Sequence, residues 1–106
     1  MFKLIDRLRD EMESAYDQFR YRRDRVERVR QIARCVEYGT LGPDTVRPWL
    51  LKQLKHRHAR VRNAATEALW QIADTKARRD IEKALLKEKH EAVRKTMEHV
   101  IHVMGG

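Results

Sequence analysis

The segment VRPWLLKQLKHRHARVRNAATEALWQIAD, residues 46–74, decides how the whole chain reads. Two apolar stripes run through it. The first is Val46, Leu50, Leu51 and Leu54; the second is Val61, Ala64, Ala65, Ala68, Leu69 and Ile72. Steps of three and four residues place each stripe on one face of a helix. Between the stripes lies KHRHARVR, 55–62, where Lys55, Arg57, Arg60 and Arg62 stand with His56 and His58 and no acidic residue occurs between Asp44 and Glu67. The segment therefore predicts a helix over about 45–55, a charged turn, and a second helix over about 59–73. The alanines of the second helix allow a neighbour to approach closely.

Working outward, the helix breakers are confined to a few places. Gly39, Gly42, Pro43 and Pro48 surround YGTLGPD, 38–44, and Gly105 and Gly106 close the chain. Everything else is rich in residues that lose little on entering a helix, so the fold class is all-α. Gly39 is placed for a left-handed C-cap, Pro43 and Asp44 for the next helix start, and Pro48 for that helix's first turn. ADTK, 73–76, reads as a turn with Asp74 or Thr75 as N-cap. Ile81, Ala84 and Leu85 mark a further helix, and Val93, Met97, Val100, Ile101 and Met104 the last. Upstream, Ile5, Leu8, Met12, Ala15, Phe19, Val26, Val29, Ala33 and Val36 form a stripe interrupted at Arg22. That stripe fits one long helix, long enough for a coiled-coil homodimer, or two antiparallel helices broken near 21–25.

With 106 residues the chain is one domain, read as an N-terminal helix or helix pair over 1–38 followed by units at 44–74 and 75–104. Its 24 Lys and Arg outnumber 16 Asp and Glu, for a formal charge of +8. That balance favours acidic partners and speaks to association rather than fold. A single cysteine, Cys35, excludes an internal disulfide and sits on an apolar helical face as a packed thiol. No apolar run reaches the roughly 18 residues of a membrane span, and the N-terminal stretch is too acidic for a signal peptide. The expectation is a cytoplasmic protein that does not enter membranes.

The Val61–Arg62 pair recurs as Val93–Arg94 and as Val29–Arg30, each 32 residues away. Around the first two, LKHRHARVRNAATEAL (54–69) aligns with LKEKHEAVRKTMEHVI (86–101). Repetition at this period means stacked two-helix units, each opening its second helix with Val-Arg and none able to bury its apolar face alone. On those residues the chain resembles the short HEAT-like repeats found in bilin lyases and related proteins. In that pattern an apolar helix A ends in Leu-x-Asp, Val-Arg follows, and Ala-Ala and Ala-Leu space helix B. The resemblance covers 45–104 best; RRDRVERVRQIARCVEYG matches a second half only, with Asp24 in the acidic place. It implies a small right-handed α-solenoid of about five helices. The sequence departs from the pattern at His56, which stands where Asp24 and Glu88 stand in the other units. A residue able to carry +1 beside Arg57, Arg60 and Arg62 is locally unfavourable, so stability alone does not select it.

Chemistry is sparse. His56-x-His58, His90–Glu91 and His99-x-x-His102 lie in different turns and helices, whereas a metal site needs three or four convergent ligands. In the di-iron hydroxylases built on HEAT-like repeats, a His–Glu pair lies inside helix B. Here those places hold Asn63–Ala64 and Lys95–Thr96. No phosphate-binding glycine loop, nucleophile elbow or paired carboxylates appear. Nothing marks a tetrapyrrole pocket, and Trp49 and Trp70 read as packing residues at the edge of the core. The expectation is a module that is not an enzyme, with no cofactor and no metal. It would bind an acidic protein surface through Arg47, Lys52, Lys55, Arg57, His58, Arg60 and Arg62. The alternative is nucleic-acid backbone binding by the same cations, which needs only uncompensated positive charge.

Overall fold

The computed structural model describes residues 23–105. They form five helices and no strand among the described residues: α1 over 23–37, α2 Pro43–Gln53, α3 Ala59–Gln71, α4 Arg78–Lys87 and α5 Glu91–Gly105. A 3-10 turn, Thr75–Ala77, leads into α4. α2 packs on α3, α3 on α5, and α4 on α5. No helix is long and apolar enough to cross a membrane among the described residues. Whether 1–38 makes one helix or two, and the homodimer suggested through it, fall outside the described residues. Residues 23–25, however, are already helical.

One apolar cluster runs through the stack, from Val29 and Ala33 of α1 through Leu50 and Leu69 to Ile81, Met97 and Val100. Leu50, Leu69, Ile81 and Met97 are fully buried, and each such side chain stabilises the fold by about 2 kcal/mol relative to exposure. The small face of α3 does what its sequence predicts: Ala64, Ala65 and Ala68 are buried between neighbouring helices. Thr66, also buried, returns its hydroxyl to the Arg62 carbonyl at 2.9 Å.

The turns explain where the helices end. After α1, Gly39 takes φ +78°; its N–H reaches Val36 O at 3.0 Å and the Thr40 N–H reaches Cys35 O at 2.9 Å. This is the left-handed helix end that Gly39 predicts. The same geometry closes α3 without a glycine. Ala73 sits at φ +53°, with its N–H on Trp70 O at 2.8 Å and the Asp74 N–H on Leu69 O at 3.0 Å.

Three expectations are corrected. Pro48 is not in the first turn of its helix: α2 begins at Pro43, so Pro48 lies within the helix body. The hydrogen bond it forfeits is to Asp44, an exposed residue whose carbonyl water can satisfy. Asp74 makes no side-chain cap; its carboxylate is drawn to Arg47 instead. The 32-residue alignment holds for the second helices but slips in the first. There the buried Val46, Leu50 and Leu54 correspond to Ala77, Ile81 and Leu85, one position short, so Leu86 is left 86% exposed. The spacing from Leu85 to Val93 is one residue longer than that from Leu54 to Val61.

Candidate partner-binding surface

The seven positively charged or chargeable residues singled out from the sequence divide into two groups. Arg47, on α2, lies 2.6 Å (Nε) and 3.0 Å (Nη2) from the two carboxylate oxygens of Asp74, and its Nη2 is also 2.6 Å from Asp44 Oδ1. Asp74 is nearly fully buried. Arg62, on α3, grips Glu88 in the same two-pronged way, Nε to Oε2 at 2.7 Å and Nη2 to Oε1 at 2.8 Å. Its Nη1 donates to the carbonyls of His56 at 2.8 Å and Arg57 at 3.0 Å. Arg62 therefore ties one helix pair to the next, while Arg47 holds α2 to the turn that follows α3. The charge that looked uncompensated over 47–62 finds carboxylates further along the chain, and Arg47 and Arg62 are structural rather than open to a partner.

Lys52, Lys55, Arg57 and Arg60 are different. They lie at the end of α2, in the turn and at the start of α3, all exposed, and no carboxylate pairs with them among the described residues. His58, half-buried, precedes α3; Arg57 Nε approaches its Nε2 at 3.5 Å, and its ring lies 5.3 Å from that of His56.

His56 works as a neutral acceptor. Its Nδ1 takes the His58 backbone N–H at 3.1 Å, just as Glu88 Oε1 takes the His90 N–H at 3.1 Å one unit later. Burial, followed by the positive fields of His58, Arg25, Arg57 and Arg62, pushes the His56 pKa below its ordinary value. Glu88 is the counterpart. The Arg62 guanidinium holds its carboxyl below the usual range against the opposing effect of burial, and the His90 and Lys89 amides add to it. The equivalence that the alignment proposed between 56 and 88 thus extends to geometry, with an imidazole nitrogen in place of a carboxylate oxygen.

The second helices form the wall of a groove of about 610 Å³ between α1, α3 and the start of α5, lined by Arg23, Arg30, Arg60, Asn63 and His90 among others. Arg60 joins this groove to the charged turn. Asn63 gives its amide N–H to Glu67 at 3.0 Å and keeps a buried carbonyl oxygen with no partner. Further along, Trp70, half exposed, meets His99 edge-on at 6.2 Å between ring centres. Trp49 packs against the core under the Arg25 guanidinium at 5.9 Å.

A family model for HEAT repeats matches residues 20–101. The chain belongs to the HEAT-repeat family. No curated protein and no solved structure matches it. HEAT repeats are in general scaffolds for protein interaction, their stacked helix pairs presenting an extended surface. In this HEAT-repeat protein two further exposed cations flank Glu88. Lys87, at the end of α4, and Lys89, in the α4–α5 turn, are exposed, and the alignment that sets Glu88 under His56 also sets Lys87 under Lys55 and Lys89 under Arg57.

Proposed function

We propose that this HEAT-repeat protein is a non-catalytic interaction module that binds an acidic protein segment along the α2–α3 turn. The contact residues are Lys52, Lys55, Arg57 and Arg60, with His58 beside them. One observation carries the reading. Once Arg47 and Arg62 are consumed by Asp74 and Glu88, these four cations remain exposed without a carboxylate among the described residues. Four like charges within nine residues repel one another, and an acidic ligand relieves that repulsion. Arg60 extends the contact into the groove beside α1, whose lining carries Arg23 and Arg30 together with Glu27, 3.3 Å from Arg30, and Glu67.

The test compares labelled polyglutamate with a labelled DNA duplex by fluorescence anisotropy, using the parent protein and K55E/R57E/R60E. Arg62 is left intact because reversing it would break the fold rather than the surface. The expected result is salt-sensitive polyglutamate binding that the triple variant loses while its helical circular dichroism is retained. If the duplex binds far more tightly, with log K falling against log salt at a slope of about −3.6 for four neutralised phosphates, the partner is nucleic acid and the proposal fails. Equal polyglutamate binding by parent and variant removes the turn from the site.

A further inference from the structure

Resting on the reading that an acidic protein segment binds at Lys55 and Arg57, we infer that the site is double. The end of α4 and the α4–α5 turn supply a second pair of cations, Lys87 and Lys89, held beside the first by Arg62. The partner is then a peptide with two acidic clusters one repeat apart.

The geometry comes from a single side chain. One guanidinium bonds two backbone carbonyls of the α2–α3 turn, His56 O at 2.8 Å and Arg57 O at 3.0 Å, and both carboxylate oxygens of Glu88 at the α4–α5 turn. Glu88 in turn accepts the His90 N–H, so the second turn is fixed from within as well. Two turns that share one planar ion are held edge to edge, and charge-assisted bonds of this kind fix orientation as well as distance. Lys87 and Lys89 flank Glu88 in sequence, as Lys55 and Arg57 flank His56. Glu88 is nearly fully buried and consumed by Arg62, so it does not cancel its neighbours at the surface.

The two halves are unequal. Glu91 opens α5 two residues after Lys89, whereas Ala59 occupies the matching place after Arg57, where Arg60 then adds another cation. The first turn is the stronger half and the second sets spacing. Neighbouring packed helices lie about 8–10 Å apart, which an extended chain spans in about three residues at roughly 3.3 Å each. The matching ligand is an extended segment with acidic pairs offset by three positions. Leu86, exposed next to Lys87, gives this edge an apolar contact that a peptide can use and a phosphate backbone cannot.

The probe is a fluorescein-labelled peptide containing Asp-Glu-Leu-Asp-Glu, compared with one in which the second Asp-Glu is Ser-Ser. Anisotropy titrations use the parent, K55E/R57E, K87E/K89E, and R79E/K83E as a charge-matched control on the exposed face of α4. The parent should bind the double peptide about fivefold or more tightly than the single one, from tethering of the second contact. K87E/K89E should remove that preference, K55E/R57E should weaken both peptides, and R79E/K83E should keep the preference. If K87E/K89E retains the preference while K55E/R57E loses binding, the double site is wrong and the single-turn reading stands. Unchanged binding by K55E/R57E overturns both. A fall with R79E/K83E equal to that with K87E/K89E reduces the second turn to net charge and overturns the inference.

Discussion

Replacing His56 by Glu asks whether this position trades stability for surface chemistry. At 56 a carboxylate would accept the His58 N–H that Nδ1 now takes at 3.1 Å, turning a neutral hydrogen bond into a charge-assisted one. It would also lie at the start of α3, where a negative charge is worth about 0.3–1 kcal/mol. The positive fields that now depress His56, from His58, Arg25, Arg57 and Arg62, would favour it. The site is only partly buried, so screening reduces these gains, and a net stabilisation of about 1 kcal/mol is expected. For a domain of this size that raises the melting temperature by about 4 °C. Thermal melts followed by circular dichroism at pH 7 measure it, at low and at high salt, and the gain should shrink as salt rises. The pH dependence supplies a second reading. The folded-state pKa of His56 lies below the ordinary 6.5, so the unfolded chain binds the proton more readily. Stability from this group is fully present above 6.5, falls as pH drops below it towards the folded value, and then levels off. His56→Gln should lose that step without gaining charge. Should His56→Glu melt at or below the parent at pH 7, the equivalence drawn between positions 56 and 88 is refuted.

Three further outcomes follow from the ion pairs and the turns. Arg62→Ala leaves a buried Glu88 without its partner and should cost about 3 kcal/mol, read as a shift in the urea midpoint at unchanged slope. Because Arg62 lowers the Glu88 pKa from 4.5, the stability held by that carboxylate is present above pH 4.5 and lost as pH falls through the folded value; Glu88→Gln should flatten this part of the acid titration of stability. Ala73→Gly removes the strain of a non-glycine residue at φ +53° and should stabilise by about 1 kcal/mol, measured by the same urea titration.

The apolar periodicity of 46–72 specifies its two helices because each stripe has a single buried face, and Val61–Arg62 recurring at 93–94 specifies their stacking. Burial follows those stripes almost residue by residue. The charged residues were less legible for a physical reason. Arg47 has Asp44 three residues before it, but the buried carboxylates that hold the two arginines, Asp74 and Glu88, are 27 and 26 residues downstream. A local charge count cannot see across that gap. The repeat offered the route: an arginine fixed at the start of one second helix and an acid fixed at the next turn must meet when units stack. At Leu85 and Leu86 the helical stripe and the repeat alignment point to different residues. The alignment sets Leu86 under Leu54, yet the core position is taken by Leu85, as the stripe with Ile81 and Ala84 indicates, and Leu86 is exposed. Sequence identity and burial part company at turns, where insertions cost little.

The smooth face of α3 has a consequence for how the stack chooses its arrangement. Ala64, Ala65 and Ala68 offer close approach but little relief, so apolar packing alone would penalise a slide of one helix along another only weakly. The Arg62–Glu88 clamp discriminates where the alanines do not, because a shift of one helical turn, about 5.4 Å, would break both guanidinium bonds to Glu88 together. Replacing both partners with methionine would preserve much of the stability while admitting more than one alignment of the units. The ion pair then acts less as glue than as a detent, selecting one position on a surface otherwise free to slip.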